Sequence, residues 1–270
     1  IVKAPRPDQT MIHVYPDHTE LGRVYQADLP IASGIGAFVS KARRSLQLDP
    51  GRWADWLKAG RSDFDAWTVP VDVPGPLNPA ELFVQLRDIL PDEAIITTDA
   101  GNFAGWTSRF YKFRTYRTQL GPANGSMGYG MPAAIAAKVA RPDVPVVCYA
   151  GDGGTLMTGN ELATAVQHDL PIVLIIANNS MYGTIRMHEE REYPGREIAT
   201  HLRNPDFVAW AEAFGAQGER VTTTEEFAPA MERALAAGRP AVIELVVDQE
   251  LIASNFTLSQ LRERVRNAAE

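Results

Sequence analysis

Strand-like runs alternate with helical segments from residue 78 onward, and this alternation constrains the fold more than any other feature of the chain. Several of the runs are almost continuously apolar, which is typical of parallel strands buried on both faces by crossover helices. The strand-like runs lie at 94–98, 144–149, 172–176, 217–222 and 241–247. The helical segments lie at 79–90, 126–140, 151–168, 205–214 and 224–237. We therefore predict an α/β fold in which a parallel sheet carries helices on both faces.

The part of the chain before residue 78 has a different pattern. Strand-like runs at 11–15 and 27–32 precede a helical stretch at 35–46, and together they predict the tail of a second α/β domain. The stretch that follows has no clear periodicity and is rich in tryptophan and proline, which favours an extended linker. The predicted organisation is a domain end, a linker, a main domain and a helical tail, at 1–48, 49–77, 78–250 and 251–270.

Composition and charge exclude several classes of function. The chain has 26 Lys and Arg against 33 Asp and Glu, a net charge of −7, whereas a nucleic-acid binder needs a basic face for the phosphate backbone. No apolar run approaches the roughly 18 residues of a membrane span, so we expect no membrane partner. The single cysteine, Cys148, lies in an apolar run and is interpreted as a buried, inert thiol. A single cysteine without an intrachain disulfide partner fits a reducing compartment, and we predict a cytoplasmic location.

A glycine-rich turn, Gly151–Gly154, follows one buried run and opens a helical segment. Glycines let backbone N–H groups approach an anion closely, and the start of a helix favours negative charge. Asp152 lies inside this turn, where its carboxylate would repel a phosphate unless a hard cation bridged the two groups. Turns of this kind are common in α/β proteins, so a functional interpretation of this one needs support from a second motif.

That second motif is Asn178-Asn179, at the end of the next apolar run. Asn179 comes 27 residues after Asp152, and the intervening chain is one helical segment and one strand. Ligands of parallel sheets bind beyond the carboxyl ends of the strands, so we expect the two side chains to be neighbours in space. Carboxylate and amide oxygens suit Mg²⁺ beside diphosphate oxygens. The pair therefore predicts a diphosphate and magnesium site.

Together these motifs resemble those of the thiamine-diphosphate-dependent enzymes of the acetolactate synthase and pyruvate-decarboxylase-like group. The resemblance covers about residues 76–250, as the pyrophosphate-binding domain of that family, and residues 1–48 resemble the end of its central domain. It is carried by Gly151-Asp152-Gly153 with Asn178-Asn179, by Asp99–Phe103 with Trp106, and by Gly125–Ala134.

The resemblance implies a role for several residues. The side chains of Asp152 and Asn179 and the carbonyl of Met181 would be the Mg²⁺ ligands. The carbonyl of Gly125 would meet the 4′-amino group of the cofactor, and Met127 would support its bent conformation, which brings that group against thiazolium C2. The full set of predicted cofactor-binding residues is Asn102, Gly125, Ser126, Met127, Gly151, Asp152, Gly153, Gly154, Asn179, Met181, Tyr182, Gly183 and Thr184.

The resemblance also implies that this chain supplies no catalytic residue of its own. In the family, the glutamate that activates the pyrimidine ring of the cofactor comes from an N-terminal domain of the partner subunit. The sequence opens on Ile1 without an initiator methionine, and we interpret it as part of a longer protein. We expect it to supply half of a site shared within a homodimer or homotetramer, and FAD is a candidate second cofactor of the full-length chain.

Three functions stay open on the sequence. The first is decarboxylation of a 2-oxo acid followed by carboligation, as in acetolactate synthase, and the second is simple decarboxylation of a 2-oxo acid. The third is a non-catalytic cofactor-binding domain, against which the magnesium ligands and Met127 argue. Asn102 and Phe103 stand where the synthase branch usually has Gln-His, so the substrate stays open.

A charged run at 188–191, starting with His188, follows the predicted magnesium loop. We interpret it as a solvated face of a helix, and the alternative is that it faces the active site.

Overall fold

Two units make up the chain, residues 1–63 and 64–270. The computed structural model describes residues 2–269. The first unit contains β1 (Ile12–Tyr15), β2 (Leu29–Ala32) and α1 (Ile35–Ser45), and the two strands pair in parallel. This confirms the strand, strand and helix expected there, whereas the domain boundaries as such stay a prediction.

The prediction of an extended linker is wrong over α2 (Ala54–Trp67), which is a helix of 14 residues. Large apolar residues in this stretch recur at helical spacing, at Trp53, Trp56, Leu57 and Trp67. The surrounding prolines nevertheless favour an extended linker when the sequence is considered alone. Those prolines lie outside the helix, so they limit its length without preventing its formation.

The main sheet lies in the second unit and has six parallel strands in the order β4-β3-β5-β6-β8-β7. The strands are β3 (Ile95–Thr98), β4 (Gln119–Leu120), β5 (Val146–Gly151), β6 (Val173–Asn178), β7 (Gln217–Val221) and β8 (Ala241–Val246). Every predicted strand is present, and the α/β class with a parallel sheet is confirmed. Only β4 is new, because two residues carry no periodicity that a sequence could show.

The helices that cover the sheet and follow it are α3 (Pro79–Ile89), α4 (Ala104–Phe110), α5 (Gly130–Ala140), α6 (Asp152–Thr158), α7 (Leu162–Gln167), α8 (Gly183–Glu192), α9 (Phe207–Ala213), α10 (Thr224–Ala236) and α11 (Leu258–Ala269). The segment predicted as one helix at 151–168 is interrupted by a 3₁₀ turn at Gly159–Glu161. The segment predicted from residue 126 begins only at Gly130, so Met127 lies in the preceding turn.

Two apolar cores lie on the two faces of the sheet, and alternate residues of the four central strands, β3, β5, β6 and β8, enter different cores. On β5, Val147 and Tyr149 pack with α3 and α10, whereas Val146 and Cys148 pack with α5 and α9. Cys148 is buried, as predicted, and burial raises the pKa of its thiol, which disfavours the reactive thiolate. In the described part of the chain, none of the helices is long and apolar enough to cross a membrane.

The order of the strands brings the predicted loops together. The strand β5 lies between β3 and β6, with Thr98 opposite Tyr149 and Gly151 opposite Ala177. The chain therefore leaves all three strands at one edge of the sheet, where parallel α/β proteins bind their ligands.

Candidate active site

A cavity of about 220 Å³ opens at the carboxyl edge of β3, β5 and β6. All predicted cofactor-binding residues except Ser126 line it. Ser126 lies beside the wall instead: its hydroxyl donates to Asn124 Oδ1 at 2.7 Å, and its carbonyl accepts from the N–H of Ala100 at 3.2 Å. The structure thus brings the separate sequence motifs to one cavity.

Asp152 is buried at the start of α6, with 2% of its surface exposed. Its Oδ1 accepts from the N–H of Gly153 at 2.8 Å, and its Oδ2 accepts from Asn204 Nδ2 at 2.8 Å. The backbone N–H groups of Ser180 and Met181 also bond to this carboxylate, so the loop after β6 closes on Asp152. Burial raises the pKa of this carboxyl, and hydrogen bonds, first of all from Asn204, lower it. A cation beside Asp152 would offset the cost of its burial.

The two asparagines that end β6 have different surroundings. Asn179 lines the cavity, and its Oδ1 accepts from the N–H of Met181 at 3.3 Å. Asn178 does not line the cavity: its Nδ2 donates to Glu244 Oε1 at 2.7 Å, and its Oδ1 accepts from Asn204 Nδ2 at 2.8 Å. Asn179 and Met181 are therefore placed to offer oxygens to a ligand, whereas Asn178 holds the loop.

The glycines of the turn are required by close contacts. A Cβ on Gly154 would lie 2.1 Å from Asp99 Oδ2, and a Cβ on Gly153 would lie 2.6 Å from Cε1 of Tyr182. Real Cβ contacts are not this short, so side chains at these positions would displace the neighbouring walls. Glycine is therefore required here by packing against Asp99 and Tyr182, and the turn is bare of side chains at Gly153 and Gly154.

Met127 lines the cavity from the turn before α5. This turn needs glycine at two positions, because φ is +72° at Gly125 and +78° at Gly128. Asp99 fixes the turn from β3, since its carboxylate accepts hydrogen bonds from the N–H groups of Gly130 and Gly128. The side chain of Met127 is thereby held over the glycine turn, with Cε 3.4 Å from the position of a Gly153 Cβ.

Asn102 joins three segments of the wall. Its N–H donates to Thr184 Oγ1 at 2.9 Å, and its Nδ2 donates to the carbonyl of Ile252 at 3.0 Å and to Met187 Sδ at 3.2 Å. These bonds tie the loop after β3 to α8 and to the stretch before α11.

Several residues on or next to the wall were missed by sequence reasoning. Phe103, which the resemblance places with Asn102 on the substrate side, lines the cavity. Trp106 was recognised only as part of a motif, and the apolar wall beyond β8 has no motif at all. Asn204 lies 52 residues from the Asp152 that it contacts, and its one signal is its place just before the start of α9. The residues missed as wall or contact residues are Ala100, Gly101, Trp106, Tyr149, Ala177, Ile185, Val247, Leu251, Ile252 and Asn204.

The charged run after the loop fits neither interpretation as a whole. His188 and Arg191 are exposed on α8, as a solvated face requires. Glu190, however, is fully buried outside the cavity, between Arg262, whose Nε donates at 2.5 Å, and Arg186, whose NH2 donates at 2.5 Å. The hydrogen bonds from Arg262, followed by the one from Arg186, lower the pKa of Glu190 to about 2. This ion pair fixes α11 to α8.

The donors on the wall suit a diphosphate and a hard cation. In the region that the structure describes, no three His, Cys, Asp or Glu side chains form a metal site of their own. An ion at Asp152 would therefore depend on this one carboxylate, on neutral oxygens and on anionic oxygens of its ligand, which is the usual environment of Mg²⁺ with phosphates. The sheet edge, the bare glycine turn and these oxygens therefore define an α/β domain whose cavity suits a ligand that carries phosphates.

Comparison with known proteins gives the family. The family model "Thiamine pyrophosphate enzyme, C-terminal TPP binding domain" matches residues 99–245. The chain therefore belongs to the thiamine pyrophosphate enzyme family.

Similar proteins include acetolactate synthases and a decarboxylase. The chain is 31% identical over 260 residues to a probable acetolactate synthase large subunit of Methanocaldococcus jannaschii, covering 90% of this chain and 43% of that protein. It is 34% identical over 249 residues to the acetolactate synthase large subunit of Parasynechococcus marenigrum, covering 89% of this chain and 40% of that protein. The chain thus spans about two fifths of the length of these relatives.

Among solved structures, the thiamine diphosphate-dependent 4-hydroxybenzoylformate decarboxylase of Rhodococcus jostii RHA1 matches with a TM-score of 0.71 and 28% identity. The match covers 88% of this chain and 44% of that chain.

Proposed function

We propose that this chain forms the diphosphate- and Mg²⁺-binding half of the active site of an enzyme that decarboxylates a 2-oxo acid and then carries out carboligation, as acetolactate synthase does. The observation that carries the proposal is the meeting of Asp152, Asn179 and Met181 beside the bare turn of Gly153 and Gly154. The similarity to two acetolactate synthase subunits supports the choice of reaction.

The residues of this chain would bind and orient the cofactor. The side chains of Asp152 and Asn179 and the carbonyl of Met181 would hold Mg²⁺. The backbone N–H groups of Gly153 and Gly154 would bind the diphosphate, for which the N–H of Gly153 would exchange its present bond to Asp152 Oδ1. When bound, thiamine diphosphate supplies a nucleophilic carbon and an electron sink for the loss of CO₂. The carbonyl of Gly125 would orient the amino group of the cofactor.

The site would be completed by another protein segment. Among the described residues that line the cavity, only Asp152 carries a carboxylate, and it lies at the end proposed for the metal. A glutamate that activates the pyrimidine ring would therefore come from outside this chain, as in a homodimer or homotetramer with shared sites. FAD binding and a cytoplasmic location stay predictions.

The intact protein, supplied with thiamine diphosphate, Mg²⁺ and pyruvate, is expected to form acetolactate with the loss of one CO₂ for every two pyruvates. Mass spectrometry of the products from ¹³C-labelled pyruvate measures this directly. Acetaldehyde as the main product would support the alternative of simple decarboxylation, which the likeness to a 4-hydroxybenzoylformate decarboxylase favours. A cofactor-loaded protein that converts neither pyruvate nor an aryl 2-oxo acid would contradict both.

Met127 is the proposed support that imposes the bent cofactor conformation. In the intact enzyme, Met127→Ala is expected to lower kcat, because a positioned reacting group becomes free to move. The expected loss of transition-state stabilisation is about 2–4 kcal/mol. Met127→Leu keeps the bulk and should cost little. Steady-state kinetics at saturating cofactor tests the idea, which is wrong if the alanine variant keeps the wild-type kcat.

A further inference from the structure

The segment at 200–204 lies beside the segment at 180–182, which carries the proposed third magnesium ligand. The N–H of Tyr182 donates to the carbonyl of Thr200 at 2.9 Å, and the N–H of Leu202 donates to the carbonyl of Ser180 at 2.8 Å. Met181 forms an antiparallel bridge with His201 between these two bonds. The segment therefore supports the metal loop from outside and leads directly to Asn204.

The side chain of Asn204 joins the ends of two strands. Its Nδ2 donates to Asp152 Oδ2 after β5 and to Asn178 Oδ1 at the end of β6, both at 2.8 Å. The opposite orientation of the amide would turn its oxygen toward two acceptor oxygens, so these contacts fix which way it points. Both protons of the amide group are thus used to hold two neighbouring loops.

A continuous polar network fixes Asn204 in turn. Asn178 Nδ2 donates to the buried Glu244, and Arg220 Nε donates to the other carboxylate oxygen of Glu244 at 2.8 Å. Arg220 NH2 then donates to Asp206 Oδ1 at 2.8 Å. Because Asp206 also accepts from the N–H of Val208 at the start of α9, the network returns to the chain two residues after Asn204.

One atom of this arrangement lacks a partner. Within the residues that the structure describes, the buried Oδ1 of Asn204 accepts no hydrogen bond. Buried polar atoms are normally satisfied, so this oxygen is a place where an ordered water would find a partner. Asn204 itself does not line the cavity, so it would act through the residues that it holds.

We propose that Asn204 is a positioning residue of the magnesium site. Its hydrogen bond to Asp152 Oδ2 restricts the rotation of the carboxylate and so orients the oxygens that the ion would meet. By holding Asn178 at the same time, it keeps the loop of Asn179 in register with Asp152. The inference rests on the proposed function, because it concerns the ion that Asp152 would bind.

The test is a Mg²⁺ titration of the intact protein at a fixed excess of thiamine diphosphate, followed by tryptophan fluorescence and calorimetry. Asn204→Ala is expected to raise the apparent Kd for Mg²⁺ by about 10–100-fold, the usual effect of losing an outer-shell partner. The signal at saturating Mg²⁺ is expected to match that of the wild type, which a merely misfolded protein would not reproduce. The control is Asn160→Ala, since Asn160 is exposed and does not line the cavity.

Asn204→Ser is measured alongside as a second variant, in case Asn204→Ala shows no cooperative thermal transition. Its small polar side chain keeps one hydrogen-bond donor. We expect the apparent Kd of Asn204→Ser for Mg²⁺ to lie between that of the wild type and that of a folded Asn204→Ala. A folded alanine or serine variant with wild-type Mg²⁺ affinity would overturn the positioning role while leaving the magnesium site intact. Wild-type protein that binds the cofactor without Mg²⁺ would overturn the proposed site itself, and the positioning role with it.

Discussion

Asp152→Ala in the intact enzyme is expected to abolish Mg²⁺-dependent binding of thiamine diphosphate. Asp152 is the only carboxylate among the described residues that line the cavity, so no other side chain there can neutralise the ion. Without the ion, the diphosphate would meet the neutral oxygens of Asn179 and Met181, which offer it no attraction. Isothermal titration calorimetry with and without Mg²⁺ measures the loss.

The matched control is Asp88→Ala, which removes an exposed carboxylate on α3. It should leave cofactor binding unchanged, although it alters the net charge by the same amount. A thermal melt of each metal-free variant checks that the fold is kept. The assignment of the magnesium site fails if Asp152→Ala binds the cofactor as tightly as the wild type does.

The strands of this fold could be predicted from the sequence because each is short, buried and apolar. A run such as β6 can belong to few structures once helical segments flank it on both sides. By contrast, β4 has two residues and owes its existence to pairing with β3. The helix α2 shows the opposite error, since its aromatic residues have a helical period that neighbouring prolines concealed.

The chemistry of the candidate site was predictable where it is local. Asp152 with its glycines, and Asn179, each stand directly after a strand, and the strand order brings them together. Contacts between distant segments leave no such pattern. The bond of Asn102 to the carbonyl of Ile252 spans 150 residues, and nothing in either stretch predicts the other. Sequence reasoning therefore reached the polar residues proposed to face the ligand, and missed the apolar part of the wall and most of the residues that hold the site in place.

Residues 1–270 alone, with Mg²⁺ and excess thiamine diphosphate, are expected to exchange the thiazolium C2 proton no faster than free cofactor does. Exchange needs a carboxylate that activates the pyrimidine ring, and general acid–base catalysis of this kind contributes about 10²–10⁴-fold. Glu161 does not line the cavity and accepts a hydrogen bond from Thr164 at 2.8 Å. Glu190 is buried between Arg186 and Arg262, so neither carboxylate can take this role.

Deuterium exchange at C2, followed by proton NMR, measures the rate. Calorimetry on the same sample must first show Mg²⁺-dependent cofactor binding, so that absent exchange reports a missing group and not an unfolded protein. An acetolactate synthase of full length under the same conditions provides the positive control. Accelerated exchange by residues 1–270 would mean that a group of this chain activates the cofactor, and a site shared with another segment would then be unnecessary. If the protein binds the cofactor but C2 exchange is no faster than in free cofactor, the activating carboxylate belongs to a second segment.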